Sequence, residues 1–326
     1  MKHFVRAGAA LALAALACGA RAQAANENNV YGLFDLAVGA VKPRGGVSDK
    51  GVESGNMSTS YLGLRGVEDL GGGLSTVFAL ESFLRANNGA VGRYDGDTFW
   101  SRNAYAGFSG AFGSTTLGRN TTPLYVSTLT FNAFGDSYGY SPSIRHYFSS
   151  GTVTGDSGWN SSMLFTSPVG DNGLRISMAV AAHQGGEGRK FGGNLLYAKG
   201  PVGASFAWQA VKSGPTQNGT GTWQLAGSYD FTLAKLYAQY GEVKNGDTGN
   251  KYKLFDLSAS VPLGAGRLLG AYGHMSPAVG NKLVTYSLGY DYDLSKRTDA
   301  YAAVMSDKQD TLSSGNAYSL GLRHRF

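Results

Sequence analysis

The sequence predicts an all-β fold of many antiparallel strands, and three features carry that prediction. Apolar and polar residues alternate with period two in stretch after stretch, as in strands with one greasy and one wet face. Glycine supplies 49 of 326 residues and Tyr with Phe another 35, against 8 Pro, a mixture that suits strands joined by turns and would be costly in helices. The last nine residues alternate without a miss, with Tyr318, Leu320, Leu322, His324 and Phe326 on one side and Ser319, Gly321, Arg323 and Arg325 on the other. A terminal aromatic gains nothing from its ring in water, so Phe326 needs a protein core or a bilayer.

At the other end, Lys2, His3 and Arg6 precede an apolar run over residues 7–17 that is too short to span a bilayer, and Ala22, Gln23 and Ala24 follow in an A-x-A arrangement. Residues 1–24 are expected to be a cleaved signal peptide and residues 25–326 one barrel domain. The leader holds Cys18, the single cysteine, so the mature chain is expected to have no disulfide and no thiolate metal site. It also holds three of the 28 basic residues and no acid, which leaves 25 against 22, or +3. Those charges are scattered, without the basic-aromatic runs that nucleic acid would need.

Individual strands follow in order. Residues 174–183 set Leu174, Ile176, Met178, Val180 and Ala182 against Arg175, Ser177, Ala179, Ala181 and His183. Residues 203–212 set Ala204, Phe206, Trp208 and Ala210 against Ser205, Ala207, Gln209 and Val211, and residues 222–230 and 255–261 repeat the pattern. Sixteen such stretches are expected, near residues 30–41, 58–68, 74–85, 98–109, 114–120, 159–167, 174–183, 191–199, 203–212, 222–230, 233–242, 252–261, 267–274, 283–292, 298–305 and 316–326. The number is even, and most approach the roughly 9–11 residues of a tilted strand crossing a bilayer. Short connections such as 69–73, 110–113, 200–202, 262–266 and 293–297 alternate with longer polar ones such as 42–57, 86–97, 213–221 and 243–251. That two-ended asymmetry predicts a 16-stranded antiparallel transmembrane β-barrel with short periplasmic turns and long external loops. A soluble sandwich or propeller alternates too, but its strands run nearer 5–6 residues, and no blade-length repeat is visible. Two strands fit less cleanly: with Arg102 and Arg119 inward, the opposite faces carry Ser101, Asn103, Thr116 and Gly118, which are poor lipid contacts. Either a bulge shifts the register there or another subunit covers that face.

Enzyme chemistry finds little purchase. His146, His183, His274 and His324 are widely separated, with no H-E-x-x-H, no cysteine partner and no G-x-S-x-G. Gly264, Gly266 and Gly270 superficially suggest a nucleotide loop, but they follow Pro262 between two strands with no helix to face a phosphate. No cofactor or metal is expected.

Four motifs, running in order from the early strands to the last residue, carry a family resemblance: GLRGVEDLGGGL at 63–74 with Phe78 and Glu81; RNAYAGF at 102–108 with Gly110, Phe112, Gly113, Leu117, Gly118 and Arg119; DYDLSKRT at 291–298 with Tyr301; and GLRHRF at 321–326. Together the sequence resembles the general diffusion porins of Gram-negative proteobacteria and neisseriae over the whole mature chain. The resemblance implies a passive outer-membrane channel for ions and small hydrophilic solutes. It also implies a homotrimer in contact with outer-membrane lipid and lipopolysaccharide, a third external loop folded into the lumen, and an assembly machinery that recognises the ending at Phe326. The other readings kept open are a substrate-specific channel and a barrel hydrolase.

The third loop would run from Asn120 to about Tyr147 with a polar tail to Gly158, and its aromatics Tyr125, Phe131, Phe134, Tyr138, Tyr140, Tyr147 and Phe148 equip it to pack against a wall. Arg65, Glu81, Arg102 and Arg119 are the expected pore-wall charges, and Asp136 and Arg145 those of the loop. The family often has arginine where this chain has Tyr61, and another near Ser157, so a weak anion preference is expected.

Overall fold

The computed structural model describes residues 27–153, 156–182, 188–215 and 218–326; the expected leader, Cys18 and His183 lie outside them. Its elements are β1 (Glu27–Lys42), β2 (Asp49–Ser54), β3 (Tyr61–Gly71), β4 (Leu74–Arg85), β5 (Ala90–Val91), β6 (Ala104–Gly110), β7 (Gly113–Thr121), α1 (Pro123–Thr130), α2 (Pro142–Phe148), β8 (Gly158–Thr166), β9 (Leu174–Ala181), β10 (Lys190–Lys199), β11 (Val202–Val211), β12 (Thr220–Asp230), β13 (Lys235–Asn245), β14 (Lys251–Leu263), β15 (Gly266–Pro277), β16 (Leu283–Asp293), β17 (Thr298–Gln309) and β18 (Gly315–Arg325). Among the described residues sixteen of these strands make a closed antiparallel barrel, while β2 and β5 are short additions within the first two external loops that the period-two pattern did not show. Closure is made by β1 against β18, paired from Leu33 with Arg325 to Lys42 with Asn316. The opposite edge of β1 pairs with β3 through Leu33 with Tyr61 and, farther up, with β2.

Parity sorts the side chains. Val38, Leu117, Met178, Leu225 and Leu320 project outward and stay more than half exposed on the single chain, as a lipid-facing band requires. Near the short turns that band ends in aromatics, among them Phe108, Tyr229 beside Phe231 (4.5 Å), Tyr292 and Phe326 beside Phe34 (5.4 Å), which suits the membrane interface. The tightest turn uses Gly71, Gly72 and Gly73 in succession at φ of +84°, +63° and +79°, a run only glycine accepts without strain.

Residues 122–153 fold inside the barrel, and local chemistry shapes the path. Thr122 and Ser141 cap α1 and α2, accepting from Tyr125 N (3.2 Å) and Ile144 N (3.3 Å), and each helix then opens on proline, whose missing N–H costs nothing there. The loop then bonds to the wall by side chains. Gln239 Nε2 donates to the carbonyls of Thr128 and Phe131 (2.9 and 2.8 Å), Ser127 Oγ to Gln224 Oε1 (2.7 Å), and Asn194 Nδ2 to Pro123 O (2.8 Å). Tyr140 and Ser319 share a bond of 2.6 Å. Leu124, Ile144 and Tyr147 are fully buried, and Phe131, Phe134 and Tyr140 nearly so. Their seats are wall glycines: a Cβ at Gly203 would stand 3.1 Å from the Phe131 ring, one at Gly289 3.2 Å from Phe134, and one at Gly273 2.8 Å from His146.

Two expectations need correction. The regular strand expected at 98–109 begins only at Ala104: two backbone bonds to β4 persist just before it (Glu81 N to Asn103 O, 2.7 Å, and Arg102 N to Glu81 O, 3.1 Å), but the next amide, Phe83 N, is taken by Ser101 Oγ (3.1 Å) instead of a carbonyl, and the ladder stops there. Between β7 and β8 the register slips between Gly118 and Asn120, so Thr116 and Asn120 both lie buried and bonded to each other at 2.7 Å. The bulge, one of the two alternatives the sequence left open, turns Thr116 and Asn120 to the inner side.

Gly203→Val should crowd Phe131 out of its seat, since only the Ser228 hydroxyl and that ring stand near. Overpacking of this kind costs about 1–3 kcal/mol. Larger, noisier single-channel currents and faster proteolysis within residues 122–153 are expected, with barrel folding retained.

Candidate functional site

The inward loop lies along the β10–β18 side, so the open passage runs between it and the wall carrying β3, β4 and β7. On that wall Glu81 is buried and gathers three donors: Tyr31 Oη, Arg102 Nη1 (2.5 Å) and Asn103 Nδ2 (2.5 Å). Arg102 sits just before β6 and lies over the Tyr61 ring at 4.2 Å. Tyr61 stands where an arginine was expected, and its ring face holds one instead. Arg65 lies over Tyr31 at 4.6 Å and, among the described residues, has no carboxylate partner. Two arginines thus stand beside one carboxylate that only Arg102 engages, which leaves positive charge on this wall.

Facing them, Asp136 accepts from Ser58 Oγ at 2.9 Å, and that hydroxyl accepts in turn from Arg323 Nη1 (3.2 Å). Arg323 also spans Asp291 and Asp299 at 2.6 Å each, and Asp35 takes the Ser58 and Met57 amides and the Tyr301 hydroxyl at 2.7 Å each. Arg145 is not a free loop charge: it donates to Tyr138 O and to Asp307 (both 3.0 Å), a carboxylate that Arg44 also approaches at 3.4 Å. Arg119 occupies the bulge and bonds Ser101 O (2.8 Å), Asn160 (2.8 Å) and Asp156 (2.8 Å).

The structure brings together Arg65, Glu81 and Arg102, with Asp136 on the facing loop, and sets Arg119 and Arg145 in separate clusters. Sequence reasoning missed Arg93, which ties Asp97 (3.0 Å) and Asp156 (2.8 Å) and so joins Arg119 in a four-charge collar around a cavity of about 500 Å³. Nothing local marks it, since Arg93 and Asp156 lie 63 residues apart. Burial works to raise the Asp156 carboxyl, but the Arg93 and Arg119 guanidiniums outweigh it and hold it well below the usual carboxylate range.

His146 is sealed between the loop and the wall, with Nε2 2.9 Å from Thr285 Oγ1 and Nδ1 3.8 Å from Asp256. Burial pushes its imidazole down to about 3; Asp307 opposes that shift, while Arg145, Arg44 and His274 add to it. The docked loop therefore holds a neutral ring. Its seating is undiminished above the ordinary histidine value of about 6.5 and weakens by roughly 1.4 kcal/mol for each unit below it, down to the folded value.

Asp156→Asn should release Arg93 and Arg119 and move the reversal potential in a salt gradient toward anions. Lowering pH from 6.5 to 4 should raise current noise through undocking of α2, and His146→Gln should flatten that dependence.

A family model described as Gram-negative porin matches residues 9–312. The chain is 31% identical to outer membrane porin protein 32 of Delftia acidovorans, over 89% of this chain and 86% of that one. It is 27% identical to an outer membrane porin protein of Bordetella pertussis, over 94% and 96%. Among solved structures, an anion-selective porin from Comamonas acidovorans superposes with a TM-score of 0.80 at 26% identity, covering 93% of this chain and all of that one. With a closed sixteen-stranded barrel, a lipid-facing band and a loop narrowing the lumen, the chain belongs to the Gram-negative porins, multi-pass barrels of the outer membrane.

Proposed function

We propose that this passive diffusion channel prefers anions weakly, and that Arg65, with Glu81, Arg102 and Asp136 around it, sets that preference. The observation that carries the reading is Arg65: among the described residues it is unpaired, on a wall where Arg102 already neutralises Glu81. In a narrow, poorly screened passage one uncompensated guanidinium biases the ions that enter. Asp136 offsets part of it from the facing loop, having only a hydroxyl donor of its own. The similar Comamonas porin is described as anion-selective, which agrees in sign. Fold and family point to a channel rather than an enzyme.

The working unit is a homotrimer seated in lipid and lipopolysaccharide. Supporting this, the outer face of β1, β17 and β18 is lowered by Ala300 and Ala302 between Leu36, Leu320 and Leu322, an apolar hollow suited to a second copy. Export removes residues 1–24, and the outer-membrane assembly machinery reads the ending at Phe326, whose ring packs on Phe34 and whose backbone bonds Gly32.

In planar bilayers the wild-type protein should conduct in stepwise units of three and show a reversal potential of anion sign. Arg65→Gln should move that potential toward zero, and Asp136→Asn should move it further toward anions. A neutral or cation-selective wild type would overturn the assignment. Deleting Phe326 should lower the yield of folded protein while leaving the selectivity of what does fold; unchanged yields would remove its assembly role.

A further inference from the structure

We propose that the lumen contains a second site, a binding subsite for small amphiphilic carboxylates beneath α1 and apart from the constriction. A cavity of about 200 Å³ lies where α1 meets the inner faces of β8, β9 and β10. That is below the ~300 Å³ where pockets for drug-sized ligands begin, so its occupant is small. Three independent features describe that occupant.

First, Arg175 lines the cavity, is exposed to the lumen and makes no hydrogen bond or ion pair among the described residues. Every other arginine placed in the structure above has a partner or a ring to lie on, and an uncommitted guanidinium offers a planar fork that matches a carboxylate. Second, Asn194 is 1% exposed and lines the same cavity, and its Oδ1 has no partner because only the amide nitrogen is used, on Pro123 O. A buried acceptor left unsatisfied keeps its desolvation penalty, which a donor on a ligand would recover. Third, Val126, Leu164 and Leu196 line the cavity and offer hydrocarbon contact inside a watery channel.

Register places these groups within reach of one molecule. Arg175 pairs across with Leu196 and Ser177 with Asn194, so the guanidinium and the amide are diagonal neighbours on the inner face, about 7–8 Å apart at the backbone. A carboxylate on Arg175, a hydroxyl or ammonium on the adjacent carbon donating to Asn194 Oδ1, and a short hydrocarbon body against the leucines together describe a 2-hydroxy or 2-amino acid with an apolar side chain. An inorganic anion would satisfy only the arginine, and a neutral sugar would leave the arginine and the leucines unused. The site rests on the channel reading, since a solute reaches it only through the lumen.

The test is titration calorimetry of the folded protein in detergent with 2-hydroxy-4-methylpentanoate, which needs no conduction. Saturable binding is expected, weakened about tenfold or more for lactate, which lacks the hydrocarbon body, and for 4-methylpentanoate, which lacks the hydroxyl. Arg175→Gln should abolish it, and Leu196→Ser should weaken it, with folding of each variant followed by heat-modifiable migration. In bilayers the same acid should interrupt the wild-type current briefly. No saturable binding, or binding that survives Arg175→Gln, overturns the site even in a conducting channel. A folded protein that does not conduct overturns the channel reading instead, and the calorimetry still decides the site.

Discussion

Lipid provides no partner for a peptide group, so an open sheet edge cannot persist in the bilayer, and the pairing of β1 with β18 is the contact on which everything else depends. Once the sheet closes, the two faces of every strand acquire opposite solvents. Leu320 meets lipid while Ser319, its neighbour in sequence, meets the Tyr140 hydroxyl inside. A one-residue slip anywhere would exchange these environments, which is why the bulge at Gly118 is accompanied by the Thr116–Asn120 bond that satisfies both polar side chains on the inner side.

Closure also creates a lumen too wide to be selective by itself, and the inward loop narrows it at an energetic cost that its contacts must offset. The Phe131 carbonyl takes its donor from Gln239, and the carbonyls of Pro123 and Thr128 gain one each from the amides of Asn194 and Gln239. The wall glycines serve the same end from the apolar side: Gly203 and Gly289 leave hollows into which Phe131 and Phe134 fit. Loop and wall are thus complementary in both polar and apolar terms, and a single buried titrating ring, His146, makes that seat sensitive to acid.

Much of this was legible in the chain because period two is a local signal. The alternation of residues 174–183 assigned Ile176 outward and Arg175 inward, and the structure places them so. The aromatic loop after β7 was likewise legible, since seven rings in a long connection have to be buried somewhere. What stayed hidden is what depends on distant partners. Arg93 has no period to declare it and acquires meaning only when Asp156 arrives from another loop. The start of β6 was misplaced because the ladder to β4 breaks at Ser101, whose side chain takes the Phe83 amide in place of a carbonyl, a local substitution that leaves residues 98–103 looking like strand. Arg102 bonds Glu81 but sits outside the strand that was expected to carry it.

Selectivity in this channel is better understood from which charges remain after pairing than from how many are present. The collar of Arg93, Asp97, Arg119 and Asp156 cancels within itself, while Arg44 and Arg145 share the single carboxylate of Asp307. Arg323 is answered by Asp291 and Asp299. Charges held in such clusters rigidify the wall and contribute little field along the axis, because opposite signs a few ångströms apart look neutral at the distance of a passing ion. Arg65 beside the constriction and Arg175 deeper in the lumen have no carboxylate partner at all among the described residues, with Asp136 opposing the first. The remaining field is small and positive at two depths. A barrel rich in arginine can therefore discriminate only gently between ions, while still offering a carboxylate two successive places to pause.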